Sequence, residues 1–104
     1  MPASPRDLVW ALEARRDLLD IWAYYTDVAS SDVAERLLHD IDKAALTLLR
    51  HPMSGRPRND IAPSIRSRLV RPYAVLYRAV DTGVEIVRVL HTRRDLAAAF
   101  AEDV

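Results

Sequence analysis

The sequence contains no cysteine, only two glycines and a single lysine, Lys43, among its 104 residues. Without cysteine the chain can form neither disulfide bonds nor a metal site that needs thiolate ligands. The three histidines, His39, His51 and His91, show no spacing typical of metal ligands, so no metal and no cofactor is predicted. No apolar run has the length of a membrane span or the quality of a secretory signal, and we expect a cytoplasmic protein without membrane contact.

What the chain does have is a strong segregation of charge within the length of one domain. Half of the residues are hydrophobic, enough for one core, so residues 1–104 are predicted to form a single domain with residues 1–6 as a flexible tail. The 15 basic and 15 acidic residues cancel. By segment, however, the net charge is −4 over residues 1–49, +7 over 50–94 and −3 over 95–104. Every basic residue of the middle segment is arginine, which suits bidentate contacts with carboxylate or phosphate. The pattern indicates either a surface for an anionic partner or a solvated basic face of a sheet.

The first half of the chain reads as one strand and two helices. Residues 8–12 alternate with period two and predict a strand, whereas residues 13–28 show the three- and four-residue spacing of an amphipathic helix. A second helix is predicted to begin near Val33, capped by Ser31 or Asp32, and to end before Pro52.

The second half reads as a small sheet. A loop over residues 53–63 precedes period-two segments at 65–70 and 73–80, and a turn at 81–83 leads into the most apolar strand, 84–91. Its apolar residues are dense enough to predict a central strand with both faces covered. A short helix capped by Asp95 ends the chain. The predicted fold class is α+β, in the order β-α-α-β-β-β with a short C-terminal helix, as a helical hairpin packed on a small, mainly antiparallel sheet.

The order of these motifs resembles the ParE toxins of the RelE/ParE superfamily of bacterial type II toxin–antitoxin proteins. The resemblance covers nearly the whole chain. It rests on the helix motif at residues 14–24, the P-x-x-G-R loop at 52–56, Arg66 and Arg68, Tyr77-Arg78, and the H-x-R-R-D ending at 91–95.

This resemblance implies a toxin that acts on DNA gyrase by protein–protein contact, traps it on cleaved DNA and serves plasmid or chromosome stabilisation. It also implies a hetero-oligomer with a ParD-like antitoxin that neutralises the toxin, with no sequence-specific DNA binding by the toxin alone. The expected target-binding residues are Arg66, Arg68, His91, Arg93 and Arg94. The expected antitoxin-binding residues are Trp22, Tyr25, Arg56, Arg58 and Arg71.

Each of these residues also has a structural interpretation. Trp22 and Tyr25 suit a helical core, Gly55 suits a tight loop, and His91 suits a hydrogen-bonding role. Arg66 and Arg68 project from one strand face and equally suit a salt-bridge network with acidic residues of the helices.

The RelE branch of the superfamily supplies a second hypothesis, a ribosome-dependent mRNA endonuclease. In that case His91, Arg66, Arg68 and Arg93 would be the catalytic set, with the histidine moving protons and the arginines stabilising charge. The middle segment lacks lysine and no tyrosine follows the last strand, so the sequence favours a non-enzymatic toxin without catalytic residues. A third hypothesis is a non-toxic homologue that only binds its antitoxin.

Overall fold

A computed structural model describes residues 7–101; the predicted tail at residues 1–6 lies outside them. The elements are β1 (Asp7–Trp10), α1 (Leu12–Val28), α2 (Ser31–Arg50), β2 (Arg56–Pro57), β3 (Arg66–Val70), β4 (Tyr73–Val80), β5 (Gly83–His91) and α3 (Leu96–Ala101). Within the described range, no helix combines the length and the apolar character needed to cross a membrane.

The five strands form one sheet in the order β1-β5-β4-β3-β2. β1 runs parallel to β5, and all other neighbouring strands are antiparallel. β5 is an interior strand, as its dense apolar sequence predicted. The helical hairpin of α1 and α2 packs on one face of this sheet, so the predicted fold class is confirmed.

The first predicted strand, residues 8–12, extends two residues beyond the end of β1. β1 ends at Trp10, and Leu12 belongs to α1, where its side chain is 57% exposed. Ala11 marks the change, because its N–H donates to the Ile86 carbonyl of β5 at 2.9 Å while its own carbonyl accepts from Arg15 at 3.0 Å. The second bond is already that of a helix, so the alternation of apolar residues at 8–12 crosses an element boundary.

The second helix begins earlier than predicted, at Ser31 instead of near Val33. Ser30, in extended backbone, is the capping residue, and its hydroxyl accepts the N–H of Val33 at 3.2 Å. The prediction placed the cap one or two residues late because serine and aspartate stand in succession there, and each is a good cap. At the other end of the chain the prediction is right: the Asp95 carboxylate accepts the N–H of Ala98 at 3.1 Å.

The sheet separates two apolar clusters. On one face, α1 and α2 cover the inward side chains of β4 and β5, with Ile41, Leu48 and Tyr77 fully buried. On the other face, α3 covers a smaller cluster that includes Leu76 and Leu90. Both faces of the central strands are therefore buried, which explains why β5 is apolar almost throughout.

The connections refine the predicted loops. The two-residue strand β2 lies inside the predicted loop 53–63, and Gly83 begins β5 after a turn made by Asp81 and Thr82. Gly83 has φ +150°, and a Cβ there would overlap the backbone of Asp7 in β1. Glycine is therefore required at this position, where the edge strand β1 pairs with the first residue of β5.

Candidate functional site

The P-x-x-G-R loop is held by the side chain of Tyr77 on β4. Its hydroxyl donates to the Pro52 carbonyl at 2.8 Å and accepts the N–H of Gly55 at 2.8 Å. Burial raises the pKa of the Tyr77 phenol above its ordinary value, which outweighs the lowering effects of that hydrogen bond and the nearby arginines. A neutral phenol can donate and accept together, so the environment preserves both bonds. We call this arrangement the tyrosine clamp.

Gly55 is required in the clamp by close approach. A Cβ at this position would overlap the hydroxyl and ring of Tyr77, whereas the backbone is not in the left-handed region. The predicted tight loop is present, but its cause is a side chain from β4, which local sequence does not reveal.

Arg66 completes the anchoring of the same loop. Its Nη1 donates to the carbonyls of Gly55 at 2.7 Å and Met53 at 3.1 Å. Arg66 and Arg68 share one face of β3, as the alternation predicted, and their cross-strand partners are Tyr77 and Val75. Both arginines therefore emerge on the helical side of the sheet, beside the end of α2.

The ion pair between a sheet arginine and a helix carboxylate is made by Arg88, for which the sequence predicted no role. Arg88 contacts Asp17 of α1 through two hydrogen bonds, Nε to Oδ2 at 2.8 Å and Nη2 to Oδ1 at 2.9 Å. Its Nη1 also donates to the carbonyl of Ala99 in α3 at 3.2 Å. Both charged side chains are only 11% exposed. One arginine thus joins α1, β5 and α3.

An irregularity in the β4–β5 ladder accompanies this ion pair. Leu76 pairs with Arg88 and Tyr77 with Ile86, so Val87 is an extra residue in β5. Beyond the end of β1, the N–H of Val89 donates to Asp17 Oδ2 at 2.8 Å. The carboxylate therefore continues the hydrogen bonding of β5 where the neighbouring strand stops. The sequence does contain one sign of such a buried pair, because Arg88 is a charged residue inside an otherwise largely apolar strand.

His91 lies at the end of β5 and takes a hydrogen bond from its own loop. Its Nδ1 accepts the N–H of Arg93 at 3.1 Å, and its ring meets Tyr73 edge to face, with centroids 5.3 Å apart. The pKa of the Tyr73 phenol is raised, mainly by burial and to a smaller extent by the neighbouring Tyr25 side chain. The histidine borders a shallow groove formed by the flank of α1 and the end of β5, which also includes Arg94.

A second depression, on the far side of the sheet, brings together Arg58, Arg71 and Arg94 from three different loops. We call it the arginine cleft. Leu69, 48% exposed, and Leu96 provide apolar contacts in it. Arg58 is held by Asp60 through two hydrogen bonds of 3.0 and 2.8 Å, an ion pair that raises the pKa of Arg58 and lowers that of the exposed Asp60 carboxyl.

The expected target-binding residues do not form one cluster. His91 and Arg68 lie on strands separated by β4, which places their backbones about 10 Å or more apart across the sheet. The buried side chains of Tyr73 and Val75 occupy the strand between them. Arg93 and Arg94 are exposed on the loop after β5, and Arg94 borders both the His91 groove and the arginine cleft.

The expected antitoxin-binding residues are likewise distributed over separate surfaces. Arg58 and Arg71 share the arginine cleft, whereas Arg56 is exposed on β2. Tyr25 packs inward, edge to face with Tyr73 at 6.4 Å, and joins the main core. Trp22 lies instead on the outer side of α1, in a shallow apolar depression.

Among the residues from 7 to 101, no group of three or more histidine, cysteine or acidic side chains is arranged to hold a metal ion.

Comparison with known proteins identifies the family. Residues 8–96 match the family described as ParE toxin of type II toxin–antitoxin system, parDE. The chain is 35% identical over 82 residues to toxin ParE3 of Caulobacter vibrioides, an alignment that covers 76% of this chain and 82% of the relative. Toxin ParE1 of the same organism is 31% identical over 78 residues, covering 75% and 80%. The chain belongs to the ParE toxin family of type II toxin–antitoxin systems, and membership implies an antitoxin as partner.

The fold agrees with a solved structure. A chain described as the chromosomal ParDE TA system from P. aeruginosa superimposes with a TM-score of 0.74, covering 86% of this chain and 98% of that one, at 24% identity.

Proposed function

We propose that this protein inhibits DNA gyrase by protein–protein contact in the cytoplasm and is neutralised by a ParD-like antitoxin. The observation that carries the proposal is the family match over residues 8–96, combined with arginines exposed at separate places on the sheet and its loops. Such a surface suits binding of another macromolecule, since guanidinium groups make bidentate contacts with carboxylates and phosphates.

The geometry supports the non-enzymatic hypothesis over the endonuclease. Cleavage of RNA needs a base, an acid and cations within hydrogen-bond reach of one phosphate. Here Arg66 is bound to loop carbonyls, while His91 lies two strands away with its Nδ1 accepting from the backbone. We therefore assign target contact to the exposed Arg93 and Arg94, which lie beside His91. Arg68, on the other side of the α1–α2 hairpin, is a second contact point.

The arginine cleft is our candidate for the antitoxin. β2 covers only Arg66 and Ser67 of β3. Arg58 donates its N–H to the Ile65 carbonyl at 2.8 Å on the same edge, and alternate residues point the same way, so the backbone of Leu69 also faces this edge. An extended acidic segment can add to the sheet there and place carboxylates near Arg58 and Arg71. Leu69 offers an apolar contact in the same position.

The decisive experiment is a gyrase cleavage assay with the purified toxin. We expect cleaved DNA to accumulate only when gyrase is present, and the matched antitoxin to abolish the effect. A translating extract with reporter mRNA is the parallel assay. Cut mRNA together with inactive gyrase assays would establish the endonuclease instead, and His91→Ala should then abolish cutting while antitoxin binding persists. Harmless expression without antitoxin, with neither activity, would identify a non-toxic homologue.

A further inference from the structure

The loop after β5 carries two exposed arginines on a backbone that hydrogen bonds hold in place. The carbonyl of His91 accepts the N–H of Arg94 at 3.0 Å, which closes a β-turn with the histidine at its first position. The N–H of Thr92 donates to the Pro72 carbonyl at 2.9 Å and so ties the turn to the connection between β3 and β4. Directly after the turn, Asp95 caps α3. Both ends of the turn are therefore attached to the fold.

The imidazole of His91 adds a second bond inside the turn. Its Nδ1 accepts the N–H of Arg93 at 3.1 Å. Asparagine and aspartate make the same bond to the backbone two residues on through Oδ1, an atom that is attached to Cγ as Nδ1 is. The Nδ1 bond restrains the peptide plane before Arg93, and the carbonyl of the histidine restrains the plane before Arg94. The directions in which both arginine side chains leave the backbone thus depend on one residue.

Aromatic contacts from the core hold the imidazole in its place. The ring meets Tyr73 edge to face with centroids 5.3 Å apart, and Tyr73 in turn meets Tyr25 of α1 edge to face at 6.4 Å. Tyr73 is buried and belongs to the main core. The Nδ1 atom is therefore aimed at the turn by packing as well as by its hydrogen bond.

The Nδ1 bond also limits the chemistry of the ring. A neutral imidazole has one nitrogen that can accept a hydrogen bond, and here it is Nδ1, so the ring proton is on Nε2. Because the N–H of Arg93 occupies that acceptor, the ring is not arranged to remove a proton from a substrate. We propose that His91 is a positioning residue whose Nδ1 holds Arg93 and Arg94 in the direction of the target, an inference that rests on the proposed function.

Two amide variants of the toxin separate this role from contact by the ring itself. In His91→Asn the Oδ1 takes the place of Nδ1, whereas in His91→Gln the amide lies one carbon further out. Both variants lose the ring contact with Tyr73, so the position of the acceptor is the main difference between them. We expect His91→Asn to stay close to the wild type in the gyrase cleavage assay. His91→Gln, like His91→Ala, should need about fivefold more toxin for half-maximal DNA cleavage, the factor typical of one lost hydrogen bond.

Hydrogen exchange of the Arg93 amide, measured by NMR on the toxin alone, reports on the turn without gyrase. Its protection should persist in His91→Asn and disappear in His91→Gln. His39→Ala replaces an exposed histidine on α2 and is the matched control, which should change neither measurement. Circular dichroism verifies that every variant is folded.

The wild-type assay separates failure of this role from failure of the proposed function. A wild-type toxin that produces no gyrase-dependent cleavage overturns the proposed function and this role with it. If the wild type is active but His91→Asn is as weak as His91→Ala, the ring itself contacts the target and the positioning role alone is wrong. Wild-type activity in His91→Gln, with the Arg93 amide unprotected, overturns the role as well, since the turn would then not govern the two arginines.

Discussion

Two groups of arginines, one in the sheet and one on its loops, differ in burial. Arg88 is 11% exposed and binds Asp17 and the Ala99 carbonyl, and Arg66 is bound to two loop carbonyls. Arg71, Arg93 and Arg94, by contrast, are exposed on loops. The same residue type is thus bound inside the fold in one group and exposed to solvent in the other. Substitutions in the two groups should therefore separate loss of stability from loss of binding.

The largest effect is expected for Arg88→Met. It leaves the Asp17 carboxylate buried without its cation, which typically costs about 3–5 kcal/mol. Urea denaturation measures the change in the free energy of unfolding. In the double variant Asp17→Asn/Arg88→Met both charges are gone and an amide oxygen remains for the N–H of Val89. We expect the double variant to recover much of the loss; equal destabilisation of both variants would contradict a role for the buried charge.

A smaller effect is expected for Tyr77→Phe, which removes the hydroxyl of the tyrosine clamp. The N–H of Gly55 and the carbonyl of Pro52 lose their partner, and a buried unsatisfied group typically costs about 1–3 kcal/mol. Amide hydrogen exchange should speed up in the loop 52–56 in particular. Tyr24→Phe is the control, since Tyr24 is 57% exposed, and it should change neither quantity.

Alkaline pH should destabilise the fold through the buried phenols. Burial raises the pKa of Tyr73 above its ordinary value of 10.0, so the folded chain keeps a proton that the unfolded chain releases. This contribution is fully present below pH 10 and is lost as pH rises towards the folded pKa. Urea midpoints on either side of pH 10 measure the loss. Tyr73→Phe should flatten the alkaline decline, and an unchanged decline would show that other groups cause it.

The smallest stability effect belongs to the exposed group. Arg71→Ala should alter the free energy of unfolding by less than about 0.5 kcal/mol, as surface substitutions usually do. Antitoxin binding, measured by calorimetry, should nevertheless weaken because the arginine cleft loses one cation. Arg36→Ala, an exposed arginine on α2, is the matched control and should leave antitoxin binding unchanged. Equal affinities for the two variants would remove the cleft from the antitoxin interface.

The sequence was most informative where the pattern is periodic. The fold class, the α1–α2 hairpin, the interior position of β5 and the cap at Asp95 all follow from spacing and local residue preference. The start of α1 did not follow, because Leu12 continues the alternation of β1 although the chain has already turned.

Contacts between distant residues limited what could be predicted for the candidate site. Arg88 and Asp17 are 71 positions apart, and Tyr77 lies 22 positions from Gly55. Local pattern contains no information on such pairs, and so a salt-bridge network with the helices was one of two interpretations of Arg66 and Arg68, while none was predicted for Arg88. The grouping of Arg58, Arg71 and Arg94 in one cleft depends in the same way on how three loops meet.

The most direct test of the division between fold-forming and partner-binding arginines uses the double variant Arg93→Ala/Arg94→Ala in the gyrase cleavage assay. Urea denaturation of the same preparation provides the free energy of unfolding. We predict a stability within about 0.5 kcal/mol of the wild type and little or no gyrase-dependent DNA cleavage. Full cleavage activity in this stably folded variant would contradict the assignment of target contact to these arginines.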